Sequence, residues 1–320
     1  MRVLAGDIGG TNARLAIVEL GDRPRIVAEQ TVPSQEIRDF PALIRRFLSA
    51  ARPRPERACL GLAGPVSNGQ VSGTNLPWTV NERELSDALG IPQVRLINDF
   101  EAVGHGIERL AETDFLVLQA GTPDPRGAIG LIGAGTGLGV GFLVRSDGGY
   151  SVQPSEGGHA TFGVEGVRDW ELFRFLGERY GHVSAERVIS GPGLVDLYDF
   201  VGGLAVRRQA DAAGEDPAAA ITRYALAGSE PHAVAALELF VDAYGAAAGN
   251  LALTVLATGG VYLAGGIARH IASNLAKGRF IEAFRRKGRM HPLLERIPVR
   301  LILNPDVGLL GAAAAVQSRE

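Results

Sequence analysis

Two stretches more than a hundred residues apart share one pattern, and that recurrence restricts the available folds more than any other feature of the chain. The first is Leu4-Ala5-Gly6-Asp7-Ile8-Gly9-Gly10-Thr11-Asn12-Ala13-Arg14, and the second is Gly133-Ala134-Gly135-Thr136-Gly137-Leu138-Gly139. In each, an apolar strand runs into a Gly-Thr turn and returns through alternating small and apolar residues. A repeat this long points to a duplicated domain and not to a solenoid. Glycines at such turns allow positive φ and let backbone N–H groups approach an anion. Thr11 adds a hydroxyl donor. Asp7, at a strand end, can hold a hydrated Mg²⁺ beside a polyphosphate, because Mg²⁺ prefers carboxylate and water oxygens. The same spacing also fits an ordinary β-hairpin with a glycine turn.

The rest of the chain reads as alternating strands and helices. Strands are expected at Val3–Gly6, Asn12–Leu20, Ile26–Val32, Ala58–Ala63, Val94–Ile97, Phe115–Leu118, Ala128–Ile132, Val261–Ala264 and Arg300–Leu303. Gly21-Asp22 supplies a turn, and Asn75-Leu76-Pro77-Trp78 a loop. Helical spacing marks residues 40–48, Val80–Leu89, Phe100–Leu110, Glu165–Tyr180, Gly193–Phe200, Ala218–Ala227, His232–Leu256, Ile267–Ala276 and Gly308–Gln317. Arg207 to Asp216 is polar and rich in small residues, which predicts a surface loop. With 320 residues, one large or two medium domains are expected. The division expected is a small α/β domain, 1–109, completed by the C-terminal segment 304–320, and a large α/β domain, 110–303.

Composition removes several classes of function. A net charge of −3 leaves no basic footprint for nucleic acid or an anionic membrane. The single cysteine, Cys59, excludes an internal disulfide and a four-cysteine zinc site, and suits a reducing cytoplasmic setting. Residues 1–20 show no secretory pattern. The apolar run from Leu251 to Gly266 is broken at Thr254, Thr258 and Gly259-Gly260, so it reads as a helix end followed by a buried strand, not a membrane span.

Several groups could carry chemistry. Asn98-Asp99 stands where a strand becomes a helix, the end of an α/β sheet at which ligands bind. A carboxylate there can accept a hydroxyl proton, and the neighbouring amide can orient that hydroxyl. Asp99 could equally cap the helix. Glu156-Gly157-Gly158-His159 puts an acceptor and a switchable donor three residues apart, as polyol binding needs, or forms a surface turn. No other His or Cys stands near it to complete a zinc set. Glu186 by itself reads as a solvated charge. Gly265-Gly266 could admit a nucleotide base or ribose, or simply turn a strand into a helix. No Gly-Lys-Ser/Thr follows any glycine cluster, and the third glycine of a dinucleotide fingerprint is missing. A bound nucleotide would therefore rest between two glycine turns.

These residues resemble the bacterial glucokinase family, within the hexokinase and actin-like ATPase superfamily. The resemblance runs from Gly6–Arg14 through Ile97-Asn98-Asp99-Phe100, Gly133–Gly139, Glu156–His159, Ser184–Leu194 and Ala264-Gly265-Gly266-Ile267. It implies an α/β fold of two ribonuclease-H-like domains flanking a central cleft, closing over the sugar. It implies ATP-dependent phosphorylation of D-glucose at the 6-hydroxyl in glycolysis, with Mg²⁺, by a cytoplasmic homodimer. By motif position, Asp99 would be the general base, with Asn98, Asp99, Glu156, His159 and Glu186 on the sugar. Gly6, Asp7, Ile8, Gly9, Gly10, Thr11, Gly133, Thr136, Gly137, Gly265 and Gly266 would bind ATP, and Asp7 the metal through water. The zinc-binding cysteines of related kinases are missing, so the implied partner of His159 is sugar. A non-catalytic sugar sensor and a kinase for another hexose are the rival readings.

Overall fold

The first strand is buried on both faces, and its side chains divide by parity between two cores. Leu4 and Ile8 join Leu15, Ile17, Leu60, Phe40 and Ile44 on one side. Val3 and Ala5 join Ala16, Val18, Cys59, Ile97, Leu309 and Ala313 on the other. Successive side chains of a strand point to opposite faces, so an uninterrupted apolar run demands cover on both.

The computed structural model describes residues 1–21, 23–50, 54–72, 79–146 and 149–317. The expected loop Asn75-Leu76-Pro77-Trp78 and Asp22 of the expected turn lie outside the described residues. The chain forms two compact units, Met1–Asp114 with Asn304–Glu320, and Phe115–Leu303. Among the described residues, no helix is long and apolar enough to cross a membrane.

In the first unit, β1 (Arg2–Ile8), β2 (Asn12–Glu19) and β3 (Arg25–Pro33) form an antiparallel meander. Helix α1 (Phe40–Ala50) leads to β4 (Arg57–Leu62), parallel to β1. A small separate sheet follows, made of β5 (Val66–Ser67), β6 (Gln70–Ser72) and β7 (Thr79–Asn81). Then come α2 (Glu82–Leu89), β8 (Gln93–Asn98), parallel to β4, and α3 (Asp99–Ile107). The main sheet has the order β3-β2-β1-β4-β8. The terminal helix, Val307–Ala315, returns to this unit and packs on α3, as its small apolar composition predicts. Glycine lets the two helices meet: a β-carbon on Gly106 would strike the Val307 carbonyl oxygen, and one on Gly311 the Ala102 carbonyl oxygen.

The second unit opens with β9 (Phe115–Gln119), β10 (Ile129–Ala134), β11 (Leu138–Ser146) and β12 (Gly149–Ser155). Helices α4 (Val167–Tyr180), α5 (Gly191–Phe200), α6 (Ala205–Ala213), α7 (Pro217–Ala227) and α8 (Pro231–Thr254) precede β13 (Gly260–Ala264). Four short helices follow, α9 (Gly266–His270), α10 (Ala272–Leu275), α11 (Arg279–Arg285) and α12 (His291–Arg296), and then β14 (Val299–Ile302). The sheet order is β12-β11-β10-β13-β14-β9. Here too an antiparallel meander, β10 to β12, is extended by parallel strands, β13 and β14, so the two sheets repeat one pattern. The fully buried Tyr244 of α8 shares its single hydroxyl proton between the Ile132 and Ala264 carbonyls, at 3.1 and 3.4 Å, joining the strand ends that precede two glycine turns.

Some expectations need correction. Arg207 to Asp216 is mostly helix: α6 buries Val206 and Ala210, four residues apart, and ends at Gly214 with φ 66°. Its polar residues are simply the solvent face, and Arg207 pairs with Asp199 at 2.6 Å. Val80 belongs to β7, not to the following helix, because Asn81 caps α2 by accepting from the Arg83 and Glu84 amides. The single helix expected over Ile267–Ala276 is interrupted at Ile271. Cys59 is fully buried, and burial pushes its thiol up to about 12, so it carries no thiolate at neutral pH.

Candidate active site

In the first unit, the turn after β1 is locked from below. The Gly9 amide donates to the Asn12 carbonyl at 2.9 Å, closing the hairpin. Buried Ser34 then takes both flanking carbonyls: its amide donates to Thr11 O at 2.9 Å and its hydroxyl to Gly9 O at 2.6 Å. Sequence reasoning missed Ser34, because its partners stand more than twenty residues away and nothing local marks it. Asp7 pairs with Arg14 in the β1–β2 register. A β-carbon on Gly308, in the first turn of the terminal helix, would stand 2.8 Å from Asp7 Oδ2. That helix entry is itself anchored by Arg14, which donates to Pro305 O at 2.8 Å and to Asp306 Oδ1 at 2.5 Å. Burial works against the Arg14 charge, but Asp306 and Glu29 outweigh it and hold the guanidinium above its ordinary pKa.

Asp99 is the first residue of α3, but it is not the cap. Asn98 is: its Oδ1 accepts from the Phe100 and Glu101 amides at 2.9 and 3.2 Å, while its Nδ2 donates to Gly64 O at 3.1 Å. Asp99 Oδ1 also accepts from the Phe100 amide at 2.9 Å. Gly61 makes room for this helix start, since a β-carbon there would lie 3.3 Å from the Asp99 α-carbon.

In the second unit, three expected residues come together. The turn Gly157–His159 places His159 Nε2 3.7 Å from Glu156 Oε2, and His159 Nδ1 3.9 Å from Glu186 Oε1. An imidazole thus stands between two carboxylates. The Glu156 and His159 side chains are 66% and 61% exposed, and Glu186 is 29% exposed. Glu186 is therefore no solvated helix charge. It lies in the 3₁₀ turn Ala185–Arg187, and its Oε2 accepts from the Leu138 amide at 2.9 Å. Leu138 opens the strand that follows the second Gly-Thr turn.

That turn is shaped by its neighbours. The Gly135 amide donates to Gly137 O, and the Gly191 amide to Gly135 O, both at 2.9 Å. Gly158 packs directly against the Leu138 carbonyl, and Gly265 against the Ala134 carbonyl. Gly265 has φ 95° and is the N-cap of α9, so both conformation and packing require glycine there.

The other turn glycines behave differently. Glycine at such turns allows positive φ, but among the described residues Gly9, Gly10, Gly135 and Gly137 do not adopt it. A β-carbon on Gly135 or Gly266 would meet nothing within 4 Å, and one on Gly9 only the Asn12 carbonyl, at 3.6 Å. Neither conformation nor packing demands glycine at these three positions. Close approach of a ligand to the backbone is a physical reason that remains. Gly6 is the reverse case, kept small by Leu60 Cδ2 at 2.6 Å from its would-be β-carbon. Among the described residues no group of three His, Cys, Asp or Glu could hold a metal ion. A cation here would rest on few protein ligands, which is how Mg²⁺ binds beside phosphates.

The chain is similar to known proteins over nearly its whole length. The family model described as Glucokinase matches residues 4–319. The glucokinase of Nostoc sp. is 44% identical, over 97% of each chain. The glucokinase of Yersinia enterocolitica is 37% identical, over 99% of this chain and 96% of its own. Among solved structures, glucokinase from an Antarctic psychrotroph superimposes with a TM-score of 0.83 at 36% identity, covering 98% of both chains. Glucokinase from Balamuthia mandrillaris, solved in complex with glucose, gives 0.80 at 25% identity, over 99% and 94%. On the family match and the identities to its relatives, the chain belongs to the glucokinase family.

Proposed function

We propose that the chain transfers the γ-phosphoryl group of ATP to the 6-hydroxyl of D-glucose. The observation that carries the reading is the carboxylate–imidazole–carboxylate group of Glu156, His159 and Glu186, joined by a hydrogen bond to a glycine turn with an open face. Such a group offers acceptors and donors suited to sugar hydroxyls, and the turn's backbone suits phosphate. In this reading Asn98, Glu156, His159 and Glu186 hold the hexose. Asn98 retains one amide hydrogen beyond its bond to Gly64 O and can donate it to a hydroxyl.

Asp99 accepts the proton of the attacking 6-hydroxyl, and the phosphates lie on the turns at Gly9–Thr11 and Gly133–Gly137, with Gly265-Gly266 beside the adenosine. Phosphoryl transfer is chiefly positioning and charge stabilisation, which suits turns pinned by Ser34, Gly191 and Glu186. Asp7 would hold Mg²⁺, and that ion, when bound, would neutralise charge on the phosphates. The two units are read as ribonuclease-H-like domains of an actin-like ATPase fold, in a cytoplasmic homodimer. Sedimentation at micromolar concentration giving the mass of one chain would remove the dimer.

A coupled assay over a panel of hexoses with ATP tests the whole reading. Glucose-dependent ADP release is the expected result, with weaker turnover of mannose and amino sugars. Sugar binding without ADP release would favour a sensor, and faster turnover of another hexose would reassign the substrate.

A further inference from the structure

Three segments of the second unit converge on one residue, Leu138. Its amide donates to Glu186 Oε2 at 2.9 Å. Its carbonyl is the packing partner of Gly158, between Glu156 and His159. The turn before it is held by the Gly191 amide, five residues beyond Glu186. The same segments are tied together again by the Thr161–Ser184 bridge and by the Ala185 amide on Ala160 O at 2.8 Å. Glu186 therefore has two engagements. One carboxylate oxygen faces His159, and the other supports the backbone of the Gly135–Leu138 turn.

We propose that Glu186 is a positioning residue for the phosphate turn as well as a sugar ligand, so that hexose binding raises the affinity for ATP through the Leu138 amide. The proposal rests on the reading of Glu156, His159 and Glu186 as the sugar site. A side chain that is 29% exposed and held by one backbone amide retains rotamer freedom. A sugar hydroxyl donating to Oε1 restricts that freedom and so makes the bond from Leu138 to Oε2 persistent. Ordering supplied by the first ligand need not be supplied again by the second, which yields positive coupling without a large structural change. Coupling of this kind is reciprocal, so changes in the turn must also be felt by the sugar.

Glu156 supplies the internal control. It faces the same imidazole at 3.7 Å, but from the side away from the Glu186 carboxylate that accepts the Leu138 amide. Gly137 supplies the reciprocal test, because a β-carbon there would stand 2.5 Å from Glu186 Oε2 and push the carboxylate aside.

The experiment is calorimetric titration with AMPPNP and magnesium, with and without glucose, alongside titration with glucose alone. In the wild-type chain, glucose is expected to tighten AMPPNP binding by about fivefold or more. Glu186→Ala should abolish that enhancement and weaken AMPPNP about tenfold in the absence of sugar, the scale of an amide bond to a charged acceptor. Glu186→Gln keeps an oxygen for the Leu138 amide and should recover part of this loss. Glu156→Ala should weaken glucose alone and leave sugar-free AMPPNP binding at the wild-type value. Gly137→Ala should weaken glucose as well as AMPPNP.

A Glu186→Ala protein with weakened glucose but unchanged AMPPNP affinity would overturn the positioning role and leave the sugar site standing. Unchanged glucose affinity in both Glu156→Ala and Glu186→Ala would overturn the sugar site itself. Equal AMPPNP affinity with and without glucose in the wild type would remove the coupling.

Discussion

Asp99→Ala is expected to lower turnover by about 10²–10⁴, the usual contribution of a positioned general base, while glucose binding stays measurable. The geometry separates the chemistry of this residue from its structural role. Asn98, not Asp99, caps α3, so the helix start survives loss of the Asp99 carboxylate. What disappears is an acidic group at the carboxyl end of a parallel strand, β8, the end at which open α/β sheets in general bind their ligands. Asp99→Asn sharpens the experiment. An amide oxygen can still accept from the Phe100 amide, as Asp99 Oδ1 does at 2.9 Å, yet the side chain cannot take a proton from an alcohol. The two variants should therefore lose turnover to a similar extent, read in the coupled ATP assay, with sugar affinity followed by calorimetry. Turnover near the wild-type value in either variant would remove Asp99 from the base role.

The largest effect on stability is expected at Gly311 of the terminal helix. A β-carbon there would strike the Ala102 carbonyl oxygen and stand 2.6 Å from the Gly106 amide nitrogen. Both obstacles are backbone, so they cannot rotate away, and α3 must move. Overpacking ordinarily costs about 1–3 kcal/mol, and a collision with a helix backbone belongs at or above the top of that range. Gly311→Val should thus destabilise the first unit by about 3 kcal/mol or more in denaturant titration. Because α3 begins at Asp99, the folded fraction should also lose turnover. Gly135→Ala is the opposite case. Its β-carbon meets nothing within 4 Å, so stability should hold while the KM for ATP rises. A Gly311→Val protein as stable as the wild type would show that the two helices are not in the contact described.

Local pattern was enough for most strands and the long helices, because their signals are short-range. The run from Val3 to Ala5 had to be covered on both faces, and it is, by residues of two different cores. Asn81, Ser190, Asp216 and Glu230 each begin a helix by accepting from backbone amides two or three residues on. The misses share a cause. The solvent face of α6 reads as a loop until Val206 and Ala210 are seen buried. The strands β5–β7 and the helix α12 are too short for a period to show, and β12 is half-exposed, with only Tyr150 and Val152 as large apolar side chains. In α11 the deciding contacts are distant: Gly245 and Gly249 of α8 accept the backbone of Phe280 and Phe284.

By itself the sequence determined the chemistry on offer: an acid after a strand, two glycine-threonine turns, and a glutamate with a histidine, in a family-specific order that alone implied a role for Glu186. It did so because each motif is contiguous and its residue types are dictated by local geometry. Tertiary structure alone decided the assignments within those motifs. It made Asn98 the cap and released Asp99 from that task. It brought Glu186 to the Leu138 amide, from 48 residues away, and set Ser34 beneath the first turn. It also sorted the glycines into those the packing requires, such as Gly158, Gly265 and Gly311, and those it leaves open, such as Gly135 and Gly266. A glycine carries no side chain in which such a reason could be written, so only the atoms around it can supply one.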